Sequence, residues 1–298
     1  MIKVFTSPFN NPFINLALED HFLRGGADLP LLFFYVNRPS VVLGRFQNPW
    51  VECNLPYLVK NDIWMVRRQS GGGCVFHDEG NLNFSFIVPE GMIDRKKHAE
   101  ILKGAFAKAG IELQISPRND LWLQDENGEW KKISGSAYKQ TREASFHHGT
   151  FLVSSDLNKL EESLKQTMVP KNTKSIASVR SKVISLQQRH PGVEIQDVIE
   201  LVAHDLRTVA IELDGSLLSL PELQASFNML RSWEWLWGET PLFDLETSEG
   251  VKSIRKGIIE ETGAKFSPAT MKGLLSEDQI QKYFPDFSEQ HRSSNQIL

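Results

Sequence analysis

Apolar residues change their spacing several times along the chain, and each change marks an element. "IKVFTS" predicts a short strand. From Asn11, residues Phe13, Leu16, Ala17, Phe22 and Leu23 fall near one helical face, and Gly25-Gly26 stops the pattern. "LLFFYVN" and "SVVLGRFQ" are β-branched and aromatic runs separated by Arg38-Pro39, the signal of paired strands. Asn48 and Pro49 open a further helix through about Asn61. "IWMVRR", "GCVFHD" and "NLNFSFIV" predict three strands, and a helix from about Ile93 to Ala109 ends at Gly110.

The second half begins with strands "IELQIS" and "DLWLQ" and a tight turn at Asn127-Gly128. Strands "KKISGSAYKQ" and "SFHHGTFLVS" follow, and Asp156 is placed to cap the next helix. Beyond it the text is mostly helical to about Leu230. Trp233, Trp235 and Trp237 alternate and are expected to pack as core or domain-boundary aromatics. Strands first and helices after predict an α+β fold, a largely antiparallel or mixed sheet flanked by helices.

Length and composition narrow this reading only slightly. A chain of 298 residues, 41% hydrophobic and 23% charged, is long enough for a full core. A net charge of −4 supplies no overall positive field for nucleic acid or an anionic membrane. No apolar run is long enough to span a bilayer, and the N-terminus has neither signal-peptide nor transit-peptide character, so a soluble, cytoplasmic protein is expected. The two cysteines, Cys53 and Cys74, are expected to be reduced thiols.

"RRQSGGGCVFHDEGNLNFSF", residues 67–86, is the stretch that asks for a chemical explanation. Three consecutive glycines are entropically costly for a plain surface turn. No Lys-Ser/Thr follows at the required spacing, and a strand rather than a helix comes next, which excludes a P-loop and a dinucleotide fingerprint. Gly71, Gly72 and Gly73 instead expose successive N–H groups with no Cβ bulk, and such nests bind anions. Arg67 and Arg68 add positive charge, and strand alternation turns only one of them toward the loop. A permissive turn flanked by solvated arginines is the plain alternative.

In "KKISGSAYKQ" a period of two puts Lys132, Ser134 and Ser136 on one face, a polar pocket floor; a hairpin arm with its lysines in solvent is the commoner pattern. His147 and His148 are adjacent in a strand and face opposite sides, so they cannot share a metal. With no His-Glu-x-x-His and no Cys-x-x-Cys, a zinc site is not expected.

Together these segments, with "KISGSAYKQTREASFHHGTFLVSSDL", "SIASVRSKVISL" and "SWEWLWGETPLF", resemble the lipoate–protein ligase A and lipoyltransferase family of the biotin/lipoate protein ligase superfamily, in order from about Phe5 to Phe243. The resemblance implies a two-step reaction. Lipoate and ATP give lipoyl-AMP and pyrophosphate, and the lipoyl group then passes to a specific lysine of an apo lipoyl domain, on a 2-oxoacid dehydrogenase E2 subunit or the glycine-cleavage H protein. Lys132 matches the family's catalytic lysine, which bridges acyl carbonyl and phosphate, and Arg68 its nucleotide-contacting arginine. Ser70, Gly71, Gly72, Gly73, Cys74, Val75, Phe76, His77, Asn81 and Ser134 match the adenylate-binding region. Ser178 and Arg180 lie in the segment that closes over the adenylate. Asp120 is the candidate to help hold Mg²⁺ with ATP.

Two departures carry expectations of their own. Cys74 follows the glycines where most of the family has a small residue. Octanoyltransferases that form a thioester place their cysteine elsewhere, so a buried small hydrophobe is the expected role. After a catalytic domain over 1–243, residues 244–298 are expected to form a shortened, mainly helical accessory region, with Ile254 and Ile258 at helical spacing. The alternatives to an ATP-dependent ligase are a transferase using preformed lipoyl-AMP or a carrier-bound acyl group, and a non-catalytic lipoate-binding homologue.

Overall fold

The hydrophobic runs sort into four sheets because most are buried on both faces and each needs neighbours on both edges. The structure, a computed structural model, describes residues 2–179, 181–247 and 250–266. The largest sheet contains β1 (Lys3–Thr6), β2 (Leu31–Val36), β6 (Asn81–Pro89), β10 (Ser136–Gln140), β11 (Ala144–Leu152) and β12 (Ala210–Glu212). Its spatial order is β10-β11-β6-β2-β1-β12, antiparallel from β10 to β2 and parallel across β2-β1-β12. A second sheet joins β3 (Ser40–Leu43), β4 (Trp64–Arg67) and β5 (Val75–His77), with β3 in the middle. A third holds β7 (Gln114–Ile115), β8 (Leu121–Gln124) and β9 (Trp130–Ser134).

Helices cover both faces of the main sheet. Leu82, Phe84, Phe86 and Phe151 pack under α4 (Arg95–Lys108) and α6 (Ile195–Asp205). Leu31, Phe33, Ile87 and Phe146 pack under α1 (Pro12–Leu23) and α7 (Pro221–Arg231). The short helices α2 (Pro49–Glu52) and α3 (Leu55–Lys60) enclose the second sheet. Asn11, Asn48, Asn54, Asp94 and Asp156 cap their helices with side-chain oxygens, Asp156 at the start of α5 (Leu157–Ser163). This is the α+β architecture that the sequence predicts.

Two local expectations are corrected. The "LLFFYVN" and "SVVLGRFQ" runs do not pair: β2 sits between β1 and β6, whereas β3 sits between β4 and β5. "KKISGSAYKQ" is not one strand; it breaks at Gly135 into β9 and β10, which belong to different sheets. The tryptophan segment packs as core aromatics, as expected: it forms a short helix, α8 (Trp233–Leu236), and Trp237 packs on Trp50 at 4.7 Å between ring centroids.

The described part of the C-terminal region is likewise a sheet rather than helices. It contains β13 (Phe243–Thr247), β14 (Gly250–Arg255) and β15 (Ile258–Ile259). Ile254 and Ile258 are four apart because a two-residue turn separates their strands. Lys256 and Gly257 both have positive φ, 51° and 68°, the conformation that matches the twist of a hairpin. Phe243, Ile254, Ile259 and Phe266 close over Trp50 and Trp237. The expected helix beyond Phe266 lies outside the described residues.

His147 points from β11 toward α4 and His148 points toward α1, opposite faces as strand alternation requires. His147 stacks on His98 at 5.5 Å, and His98 stacks on Phe86 at 4.3 Å. Burial lowers His147 to about 3 and His98 to about 4. Both nitrogens of His147 lack a hydrogen-bond partner among the described residues, consistent with a neutral ring in an apolar layer.

The folded pKa values lie below the unfolded one, so the unfolded chain takes up protons first on acidification. Stability should hold above about pH 6.5 and fall steadily toward pH 4, by about 1.4 kcal/mol per unit for each such histidine. Denaturant titrations across that range check this, with His147→Phe flattening the slope. An equal slope in that variant contradicts the assignment.

Candidate active site

A cleft of about 960 Å³ opens where the second and third sheets meet the main one. One wall is the loop between β4 and β5, from Gly72 through Phe76 and His77. Facing it is the break between β9 and β10, with Lys132, Ser134, Gly135 and Ala137. The two walls approach closely: a Cβ on Gly72 would lie 3.6 Å from that of Ala137. Lys132 and the glycine loop therefore share one cavity.

Arg68 organises the loop from behind. Its Nε donates to Ser70 Oγ at 2.9 Å and one terminal nitrogen to the Val42 carbonyl at 3.0 Å. The other terminal nitrogen donates to the carbonyls of Gly71 and Gly73, at 2.6 and 2.8 Å. In a trans peptide the carbonyl and the following N–H point in opposite directions. Holding these two carbonyls inward thus turns the N–H groups of Gly72 and Cys74 outward. The Cys74 N–H does point outward, donating to Ser178 Oγ at 2.9 Å. The N–H groups of Gly71, Gly72 and Gly73 have no acceptor among the described residues.

Gly44 and Gly72 are required by this close approach, whereas a Cβ on Gly71 would meet nothing within 4 Å. A Cβ on Gly44 would stand 2.0 Å from the Gly72 carbonyl oxygen, and Gly72 itself has φ +90°. Arg67 turns the other way, as alternation requires. It donates to the carbonyls of Gly44, Arg45, Gln47 and Leu236 and to Thr240 Oγ1, tying the loops behind the site to the α8 corner. Burial lowers both arginines to about 10, which leaves them charged at neutral pH.

A buried chain of polar groups braces Arg68. Ser70 Oγ lies 2.8 Å from His148 Nε2, and His148 Nδ1 lies 2.9 Å from Glu19 Oε1 on α1. A carboxylate can only accept, so Nδ1 carries a proton. His77 is held by Asn37, whose Nδ2 meets its Nδ1 at 3.0 Å, leaving the proton on Nε2. Burial, with smaller contributions from Arg68 and His148, lowers His77 to about 3.

Lys132 Nζ donates to Asp120 Oδ2 at 3.0 Å, and the Ser136 N–H donates to Oδ1 at 3.3 Å. Both Asp120 oxygens are thereby engaged in positioning β9 and β10. Among the described residues no cluster of three His, Cys, Asp or Glu could hold a metal. The donor set at Asp120 fits a counter-ion for Lys132 better than a metal ligand.

The strap between α5 and α6 crosses the cleft. Gln47 Nε2 donates to Ser178 Oγ, and the Ser178 N–H donates to Glu52. The Lys132 N–H donates to Lys182, and the Ile184 N–H donates back to Lys132. At its other end, Lys171 pairs antiparallel with Asp244 of β13.

Of the residues expected at the site, Arg68, Gly72, Gly73, Cys74, Val75, Phe76, His77, Asp120, Lys132, Ser134 and Ser178 line the cleft. Ser70 lies behind it in the bracing chain, and Gly71 offers its carbonyl to Arg68. Asn81 is set back, donating to Asn83 Oδ1 at the start of β6. Arg180 lies outside the described residues. Sequence reading missed Glu19, Gly44, Gln47 and Glu52. A carboxylate within the apolar run of α1 was the available signal for Glu19.

Arg68→Lys keeps the charge but loses the fork that reaches four acceptors. It should cost about 2–4 kcal/mol of stability, from carbonyls left unpaired in a buried site. Amide exchange at Cys74, whose N–H is bonded to Ser178 Oγ, should accelerate, measured by NMR or mass spectrometry. Unchanged exchange at that amide contradicts the orienting role.

This geometry has relatives. The lipoyl protein ligase A/B catalytic domain family matches residues 11–207. Lipoate-protein ligase A of Psychrobacter cryohalolentis is 37% identical over 255 residues, covering 81% of this chain and 74% of that protein. Among solved structures, a lipoate-protein ligase A bound with ATP is 26% identical, with a TM-score of 0.63 over 79% of this chain and 98% of the other. A bipartite lipoate protein ligase from Thermoplasma acidophilum, studied with its E2 lipoyl domain, is 25% identical, with a TM-score of 0.64 over 79% and 96%. The family match and the curated relative together make this chain a member of the lipoyl protein ligase A/B catalytic family.

Proposed function

We propose that the protein is an ATP-dependent lipoate–protein ligase, with residues 1–243 as the catalytic domain and 244–298 as an accessory region. The observation that carries this reading is the shared cleft. Outward N–H groups of the glycine loop face a lysine held by Asp120 across a cavity of about 960 Å³. A carboxylate is a poor acyl donor, and attaching AMP supplies a leaving group. The site must then hold two anionic partners together while one attacks the other.

In the first step a lipoate carboxylate oxygen attacks the α-phosphorus of ATP, and pyrophosphate leaves. The N–H groups of Gly72 and Cys74 and the Lys132 ammonium face the oxygens on which negative charge is shared. Removing one such donor costs roughly 2.7–4 kcal/mol of transition-state stabilisation. Mg²⁺ brought in with ATP would neutralise phosphate charge as part of the substrate. In the second step the neutral ε-amine of a lipoyl-domain lysine attacks the acyl carbonyl, and AMP leaves. Leu16, Val42, Val75 and Ile133 give the cleft apolar surface for the lipoyl chain, each buried methylene contributing about 0.8 kcal/mol.

In this reading Ser178 stands where a ligand oxygen would, on the Cys74 N–H. Binding an adenylate displaces it and re-seats the strap, whose far end is paired to β13. The accessory region is thereby linked mechanically to the cover of the site.

Purified protein incubated with lipoate, Mg-ATP and an apo lipoyl domain should release pyrophosphate and add lipoyl mass to the acceptor. Lys132→Ala should lower that rate by roughly 10²-fold or more. Asp120→Asn should lower kcat more than it raises KM, with a shifted pH profile. Modification only from supplied lipoyl-AMP would favour a transferase instead. Lipoate binding without any modification would favour a non-catalytic homologue, and full activity of Lys132→Ala contradicts the site.

A further inference from the structure

The chain contains two cysteines in 298 residues, and the fold brings them together, Cys74 in the wall of the cleft and Cys53 enclosed behind it. Cys53 lies between α2 and α3, and Cys74 directly follows the three glycines. Their sulfurs are 3.9 Å apart, and both are free thiols. The two differ in access. Cys53 is fully enclosed, whereas Cys74 lines the cleft. Two small buried side chains could touch for packing alone. Here, however, one thiol belongs to a residue that lines the cleft and the other sits 3.9 Å behind it, the arrangement of a reacting and a resolving thiol.

We propose that Cys74 and Cys53 form an oxidisable pair that a hydroperoxide entering the cleft converts to an intramolecular disulfide. With hydrogen peroxide, the Cys74 sulfur attacks one peroxide oxygen. The O–O bond breaks, water leaves, and a sulfenic acid remains. The Cys53 sulfur then attacks the Cys74 sulfur, its proton leaves with the departing hydroxyl as a second water, and the S–S bond forms. Two thiols lose two electrons, and one peroxide gains them. Burial pushes the Cys53 thiol well above its ordinary value, so it rests as the neutral partner.

Bond formation requires the sulfurs to approach by roughly 2 Å. Cys53 is fixed by the α2 turn, its N–H donating to the Pro49 carbonyl at 3.2 Å, and by its place among Trp50, Leu55 and Leu58. Cys74 is the movable member, because its predecessor Gly73 has no side chain. Drawing Cys74 toward Cys53 pulls against Arg68's hold on the Gly73 carbonyl and re-aims the Cys74 N–H. Oxidation therefore removes a cleft donor, and its effect on ligation rests on the function proposed above; formation of the disulfide does not.

The full-length reduced protein is treated with hydrogen peroxide, alkylated under denaturing conditions and analysed by intact mass and peptide mapping. The expected result is loss of both free thiols, loss of two hydrogens in mass and a peptide joining Cys53 to Cys74. Ligation should fall by roughly tenfold or more and return with dithiothreitol. Cys53→Ala should ligate normally when reduced and form no cross-link, and excess peroxide should carry its Cys74 beyond the sulfenic acid to the sulfinic acid, a loss that dithiothreitol does not reverse. Two free thiols after peroxide treatment, or links only between molecules, overturn the pair. A disulfide that leaves ligation unchanged overturns its effect on the loop. Failure of the reduced protein to ligate would count against the proposed function alone, because thiol loss and mass still decide the pair.

Discussion

The site depends on one buried guanidinium gripping the back of a glycine loop. Arg68 takes two loop carbonyls, and peptide geometry then aims the intervening N–H groups at the cleft. Everything nearby serves that grip. Gly44 makes room for the Gly72 carbonyl, Ser70 and His148 connect the arginine to Glu19, and Arg67 fixes the loops behind it. Burial makes the arrangement costly to form and costly to leave incomplete. Each Arg68 nitrogen is accordingly matched by an acceptor, Ser70 Oγ or a main-chain carbonyl.

The fold explains why such a site can exist in a chain with a net negative charge. No broad positive field is needed when local N–H groups, one lysine and one arginine supply the complementarity. The main sheet gives a rigid floor, with β11 and β6 paired over nine residues from Ala144 to Leu152. The β9–β10 break at Gly135 lets one segment leave that floor and carry Lys132 to the opposite wall. A Cβ on Gly149 would meet the Gly135 carbonyl at 2.5 Å, so the break is also held from below.

Much of this was legible in the sequence. Most of the strand-and-helix order, the opposed histidines and the single loop-facing arginine follow from residue periodicity. What was hidden depends on partners distant in sequence. The pairing of Asp120 with Lys132, of Glu19 with His148, and of Cys53 with Cys74 needs the third dimension. Arg68 illustrates the limit: its charge was visible, but its engagement by carbonyls rather than solvent was not. The hairpin at Lys256-Gly257 was legible in principle, since Gly after a polar residue between apolar runs is a turn signal. The four-residue spacing of Ile254 and Ile258 imitates a helix and outweighed it.

The proposed function requires the loop's N–H groups to donate to the acyl-adenylate. Binding of a non-hydrolysable sulfamoyl analogue of lipoyl-adenylate to protein labelled with ¹⁵N at glycine and cysteine tests it directly. The amides of Gly72 and Cys74 should shift downfield, as new hydrogen bonds require, while the enclosed Cys53 amide stays in place. Tight binding of the analogue with the Gly72 and Cys74 amides unmoved would contradict the account.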